Sequence, residues 1–185
     1  MPRTTVHPPG IPTDGRSDPL SLKLTLNSLD LALYKRARSL GHAPAAVRWV
    51  RAYSRLGEHA GVWLVGGASA ALVDRPRRRR WARATACVAA AYCASTSIKL
   101  AIGRRRPVVD DLPHLMSTPT GLSFPSTHAA SSFAAARAFG GLVPGPPLQL
   151  AAAAMGLTRL YLGVHYPSDV AAGALLGTLI GSLGR

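Results

Sequence analysis

Three short clusters between Lys99 and Asp169 bring together residue types that do chemistry in combination. The first is Lys99 with Arg106-Pro107, the second is Pro125-Ser126-Thr127-His128, and the third is Arg159 with His165 and Asp169. They supply three cations, two imidazoles and one carboxylate, set among helices otherwise made of Ala, Gly, Leu and Val. Cations hold phosphate oxygens by charge-assisted hydrogen bonds. An imidazole oriented by a carboxylate keeps one ring nitrogen free to attack. The set therefore suits holding a phosphate and attacking its phosphorus.

Each cluster also has a plainer reading. Lys99 and Arg106 share a helical face if the helix persists to Pro107; otherwise Lys99 is a snorkelling lysine beside a basic loop, and Arg104 and Arg105 are solvated loop charges. Ser126-Thr127-His128 opens an Ala-rich helix, where a hydroxyl caps the first turn and free N–H groups make an anion site; the alternative is an ordinary cap with an incidental histidine. Arg159 ends one helix and Asp169 begins the next. His165 and Asp169 flank Pro167, close enough for the carboxylate to take the imidazole N–H, either for catalysis or as a structural pair.

The positioning elements follow from composition. The chain has 185 residues, enough for one domain, and is 48% hydrophobic with a formal charge of +14. In a soluble chain that charge would point to nucleic acid. Here the basic residues sit in clusters (75–83, 104–106, and Arg48, Arg51 and Arg55) between nearly uncharged runs, the pattern of a multi-span membrane protein with basic loops and no nucleic-acid partner. The predicted class is all-α: a membrane helical bundle of about five transmembrane helices plus N-terminal amphipathic helices.

Residues 1–19, rich in Pro and Gly, read as a disordered tail, residues 20–56 as two amphipathic interfacial helices, and residues 57–185 as the membrane-embedded domain. In the first helix Leu22, Leu26, Leu29, Leu33, Ala37 and Leu40 form the apolar stripe. In the second, Arg48, Arg51 and Arg55 share one face and Trp49, Tyr53 and Leu56 another. The apolar segments are 57–73, 81–102, 128–143, 148–163 and 169–183, several of them shorter than the ~20 residues of a usual span. Gly173, Gly177 and Gly181 recur every fourth residue, which admits a close helix neighbour. Arg137 lies mid-segment and reads as snorkelling or paired within the bundle. Cys87 and Cys93 read as small buried thiols.

Taken together, Lys-x6-Arg-Pro, Pro-Ser-x-His and Arg-x5-His-x3-Asp resemble the signature of the type 2 phosphatidic acid phosphatase family, over about residues 57–183. Two positions depart from it: Thr127 stands where Gly is typical and Thr158 where Ser is typical. The resemblance implies a lipid phosphatase, a phosphoric monoester hydrolase, that works through a phosphohistidine. His165 would be the nucleophile, Asp169 would hold its ring, and His128 would protonate the leaving oxygen and then activate water. Lys99, Arg106 and Arg159, with Ser126 and the Thr127 backbone, would bind the phosphate. Neither metal nor other cofactor is implied.

Two segments separate the connection after Lys99 from the turn after Arg159, so both emerge on one membrane side. The basic turn at 75–83 argues that this side is extracytoplasmic, although the basic N-terminal helices argue the reverse. Family analogy favours the outward-facing site in a multi-pass plasma-membrane protein. The compact form resembles mycobacterial members of the family, which implies decaprenylphosphoryl-5-phosphoribose, on the route to cell-wall arabinan, as substrate. Undecaprenyl pyrophosphate, phosphatidic acid and phosphatidylglycerophosphate are the alternatives within the class. A non-catalytic binder of lipid head groups is the alternative outside it.

Overall fold

Helix dominates the chain because its apolar runs are rich in Ala and Leu, the strongest helix formers. The computed structural model describes residues 19–185, with side chains from residue 27 onward. The tail expected at 1–19 lies outside the described residues except for Pro19. Seven α-helices follow: α1 (Pro19–Arg38), α2 (Pro44–Leu56), α3 (Gly61–Val73), α4 (Arg78–Ile102), α5 (Thr127–Phe139), α6 (Gly145–Tyr161) and α7 (Pro167–Ser182). One isolated antiparallel bridge, Arg105 with Leu122, is the only extended pairing among the described residues, so the fold is all-helical.

Helix ends sit where local chemistry puts them. Pro occupies the first turn of α2, α6 and α7, where its missing N–H costs nothing. Ser126 caps α5 by accepting from the Ala129 N–H at 3.4 Å. Gly103, at φ 68°, closes α4 in the left-handed region. The helix therefore stops before Pro107, and Lys99 and Arg106 meet through a loop rather than along one helical face. Between α2 and α3, His59 (φ 49°) and Ala60 (φ 58°) take left-handed backbone unusual for residues with a Cβ, which turns the chain sharply. His59 Nδ1 lies 2.8 Å from the Tyr92 hydroxyl at this corner.

The bundle is small inside and large outside. α5 is its centre, with Ala129, Ala130, Ala134, Ala135 and Ala136 all fully buried. Leucines such as Leu72, Leu100, Leu150, Leu157 and Leu175 face outward, each more than 60% exposed. Large apolar surface outside and small residues at helix contacts suit a lipid solvent, in which close backbone approach rather than apolar burial draws helices together. Residues 75–102 include a helical stretch long and apolar enough, by length and composition, to cross a bilayer. Cys93 is exposed on α4 and Cys87 partly so, which corrects their reading as buried thiols; both are free.

The face of α1 that packs is not its leucine stripe. Leu29, Leu33 and Leu40 are each more than half exposed, while Asp30, Tyr34 and Arg38 are buried. Arg38 donates to the carbonyls of Tyr161 (2.9 Å) and Pro113 (2.7 Å), and the Tyr34 hydroxyl to that of Gly163 (3.3 Å). Loop carbonyls need donors, so the polar edge of α1 docks and the apolar stripe is left facing outward. Arg137, at the far end of α5 from His128, has a buried Nη1 without a hydrogen-bond partner among the described residues, and its carbonyl accepts from Arg185 Nε at 3.0 Å.

α7 lies against α5 along the glycine stripe. A Cβ at Gly173, Gly177 or Gly181 would come within 2.4, 2.1 and 2.6 Å of the carbonyl oxygens of Ser126, Ala130 and Ala134. Backbone cannot retreat without separating the helices. Gly177→Val is expected to lower stability by about 3 kcal/mol or more, read by thermal unfolding in detergent. Gly66→Ala, with no atom within 4 Å, should shift it by less than about 1 kcal/mol.

Candidate active site

The three clusters meet at one end of the bundle. A cavity of about 170 Å³ is lined by Lys99, Arg106, Thr127, His128, Arg159 and His165 from the nominated set. Ser126 and Asp169, both fully buried, stand behind its wall. The Ser126 N–H donates to the Asp169 carbonyl at 2.9 Å, which joins the start of α5 to the start of α7. Helix α4 brings Lys99, α5 brings His128, the end of α6 brings Arg159, and the α6–α7 turn brings His165. The opposite wall comes from α2, the corner at Glu58 and His59, and the segment 116–120.

Lys99 does not snorkel. It is 7% exposed and donates to the carbonyls of Ser123 (3.0 Å) and Pro125 (2.7 Å), pinning the loop that opens α5. One of its three N–H groups remains for the cavity. Arg159 is 2% exposed; its Nη1 donates to Ser54 Oγ at 2.5 Å, and its buried Nε has no partner among the described residues. Arg106 donates through Nε to the Thr120 carbonyl at 2.9 Å and through Nη1 to that of Val164. Burial lowers its pKa to about 10, still cationic at neutral pH.

His165 has its tautomer set by its neighbours. Arg106 Nη1 lies 3.2 Å from Nε2. A guanidinium only donates, so Nε2 holds the lone pair and Nδ1 the proton. Nδ1 faces Asp169 Oδ2, but at 3.5 Å, and closes no hydrogen bond among the described residues. The bond anticipated between imidazole and carboxylate is thus an approach rather than a closed hydrogen bond. The cause is competition for the carboxylate: Oδ1 accepts from Arg104 at 2.8 Å and Oδ2 from the Tyr166 N–H at 2.8 Å. Burial, followed by the charges of Arg159, Arg106 and Lys99, pushes the His165 pKa well below its usual value.

Arg104 is not a solvated loop charge. Besides Asp169 it donates to Ser168 Oγ (2.7 Å) and Asp30 Oδ2 (2.7 Å), and it stacks 4.2 Å over the Tyr166 ring. Asp30 in turn accepts from the Ser168 N–H at 2.9 Å and from its hydroxyl. Sequence reasoning missed Arg104, Asp30 and Ser54. Asp30 carried a faint signal, being the only acid in α1 of a chain with 8 acidic residues; Ser54 carried none. Arg105 is exposed. Among the described residues no group of three or more His, Cys, Asp or Glu is arranged to hold a metal ion.

The chain resembles known proteins in sequence and in fold. The sequence profile of the PAP2 superfamily matches residues 80–184. A decaprenylphosphoryl-5-phosphoribose phosphatase of Mycolicibacterium smegmatis is 38% identical over 144 residues, 78% of this chain and 80% of that protein. Its namesake in Mycobacterium tuberculosis is 38% identical over 140 residues, 76% of this chain and 79% of that protein. Aquifex aeolicus LpxE superposes with TM-score 0.72 at 25% identity, covering 84% of this chain and 94% of that one. A PAP2-type phosphatidylglycerolphosphate phosphatase from Bacillus subtilis has the same fold, with TM-score 0.71 at 22% identity over 86% and 84% of the two chains.

The His165 environment has a direct readout. In the ligand-free protein, histidine-selective NMR should place its titration midpoint below the ordinary ~6.5. Arg106→Gln removes a positive charge that disfavours the imidazolium, so the midpoint should move upward; a downward move would contradict the assigned electrostatics.

Proposed function

Because this chain belongs to the PAP2 superfamily, we propose that it is a multi-pass membrane phosphatase that removes the 5-phosphate of decaprenylphosphoryl-5-phosphoribose through a phosphohistidine on His165. The observation that carries the reading is one cavity whose lining brings together His128, His165, Lys99, Arg106 and Arg159, at one end of a bundle with large apolar side chains on its outer surface. The identity to two phosphatases of that substrate, across most of both chains, supports the choice of lipid.

In this mechanism Lys99, Arg106 and Arg159, with N–H groups at the start of α5 near Ser126 and Thr127, take the phosphate oxygens. Phosphate binding draws Arg106 away from His165 Nε2, whose lone pair then attacks phosphorus as the P–O ester bond breaks. His128 passes its proton to the leaving 5-oxygen. The charge on the phosphorylated ring is balanced by Asp169, held in place by Arg104. His128 then takes a proton from water, whose oxygen attacks phosphorus; the P–N bond breaks and inorganic phosphate leaves.

We assign residues 57–185 to the membrane-embedded domain with α3 to α7 as five spans, and α1 and α2 to the membrane interface. The end opposite the cavity gathers the α3–α4 turn and the chain terminus: Arg77 donates to the Leu142 carbonyl, Arg80 to that of Gly141, and Arg185 to that of Arg137. The α3–α4 turn carries Arg75, Arg77, Arg78, Arg79 and Arg80. The positive-inside rule then favours the first end as cytoplasmic and the cavity as extracytoplasmic, in the plasma membrane.

His165→Ala should reduce phosphate release by at least about 10³-fold with the protein still folded; Asp169→Asn should be severe but less complete. In a release assay on purified protein, prenylphosphoryl-5-phosphoribose should outrun undecaprenyl pyrophosphate and phosphatidic acid, and a faster rate with either of those would refute the substrate assignment. A reporter fused after Arg185 should read as cytoplasmic; an external reading would reverse the orientation.

A further inference from the structure

A second cavity, of about 530 Å³, adjoins the first. Its walls are Arg51, Arg55, Glu58 and His114 with the segment 115–117, and Arg55, Glu58, Met116 and Ser117 line both cavities. Arg51 Nε donates to the Leu115 carbonyl, which leaves its terminal nitrogens without partners among the described residues. Arg55 makes no hydrogen bond or ion pair there, and Glu58 pairs with neither arginine; the described ion pairs lie at other residues. His114 Nε2 bonds the Pro107 carbonyl at 2.7 Å. Two guanidiniums one helical turn apart on α2 repel each other. Among the described residues neither guanidinium closes an ion pair, and an anion between them would offset their repulsion.

We propose that this cavity is a second anion subsite, filled by the phosphodiester of the substrate whose phosphomonoester lies against His165. This rests on the sugar-lipid reading above and deepens it. Such a substrate carries two phosphates separated by a small polyhydroxyl spacer. The two cavities offer the same order: the Lys99, Arg106 and Arg159 cluster, then Glu58 on the shared wall as an acceptor for spacer hydroxyls, then Arg51 and Arg55. A lipid with a single phosphate would place its apolar glyceride against these charged groups, which desolvates them without return. The basic face of α2 is thereby a selector for doubly phosphorylated substrates rather than only a membrane-surface device.

The test is competition against p-nitrophenyl phosphate hydrolysis by full-length protein in nonionic detergent, with ribose 5-phosphate and ribose 1,5-bisphosphate as probes. The wild type should bind the bisphosphate roughly tenfold or more tightly than the monophosphate. Arg55→Gln, whose side chain holds nothing else in place, should bring that ratio toward one, as should the Arg51→Gln/Arg55→Gln pair. Arg48→Gln, on the same helix but lining neither cavity, should keep it. A wild-type ratio near one, or a ratio unmoved by Arg55→Gln, overturns the subsite. Loss of the ratio on adding a small mole fraction of phosphatidylglycerol also overturns it, by assigning the cavity to a bilayer lipid. If the Arg55-dependent ratio holds but prenylphosphoryl-5-phosphoribose is not hydrolysed, the subsite stands and the identity of the lipid falls.

Discussion

The structure depends on how closely α7 approaches α5. Gly173, Gly177 and Gly181 set the backbone of one helix on the carbonyls of Ser126, Ala130 and Ala134 in the other. In a hydrocarbon solvent there is no hydrophobic gain from bringing helices together, so packing must come from contact itself, and small residues maximise it. The same approach brings the Ser126 N–H to the Asp169 carbonyl. The start of α5 and the histidine-bearing turn before α7 are thereby held in one fixed relation. That His128 and His165 line one cavity follows from this approach, which three absent side chains permit.

Around that contact the protein solves a charge problem. Lys99, Arg106 and Arg159 are all nearly buried, and buried cations must be hydrogen-bonded or paired. Here neutral acceptors do most of the holding: the Ser123 and Pro125 carbonyls for Lys99, the Thr120 and Val164 carbonyls for Arg106, and the Ser54 hydroxyl for Arg159. Carbonyl dipoles solvate a cation without cancelling it. Net positive charge therefore remains at the cavity, as the proposed phosphate binding requires, whereas carboxylate partners would have neutralised it. The carboxylate that faces His165 Nδ1 is divided between Arg104 and the Tyr166 N–H. Asp169 is thus fixed in place by groups outside the cavity, with Asp30 of α1 completing the network.

The N-terminal helices are part of this arrangement and not an appendage. The polar edge of α1 docks on the turn that carries His165, through Arg38 and Tyr34, while α2 supplies Ser54 to Arg159 and Arg51 to the 115 carbonyl. Periodicity alone assigned α1 by its leucine stripe, whose described leucines within the helix, Leu29 and Leu33, point away from the protein. That inversion has a physical reason. In water the apolar stripe of a helix is the face that packs; beside a bilayer the lipid takes that stripe, and exposed loop carbonyls compete for the polar edge.

The sequence by itself determined the order of helices, the three clusters, and a chemistry of cations and imidazoles directed at phosphate. Helix formation and capping are local, so Pro at first turns, Ser126 before α5 and Gly103 after α4 are readable along the chain. It also carried the glycine stripe, because a repeat of four residues marks one helical face. Only the tertiary structure decided that Arg104 spans Asp30 and Asp169, residues 74 and 65 positions away in the chain. It also decided that Ser54 meets Arg159 across 105 positions. Such contacts form when helices pack, and no spacing along the chain encodes which loop charge will find which distant acid.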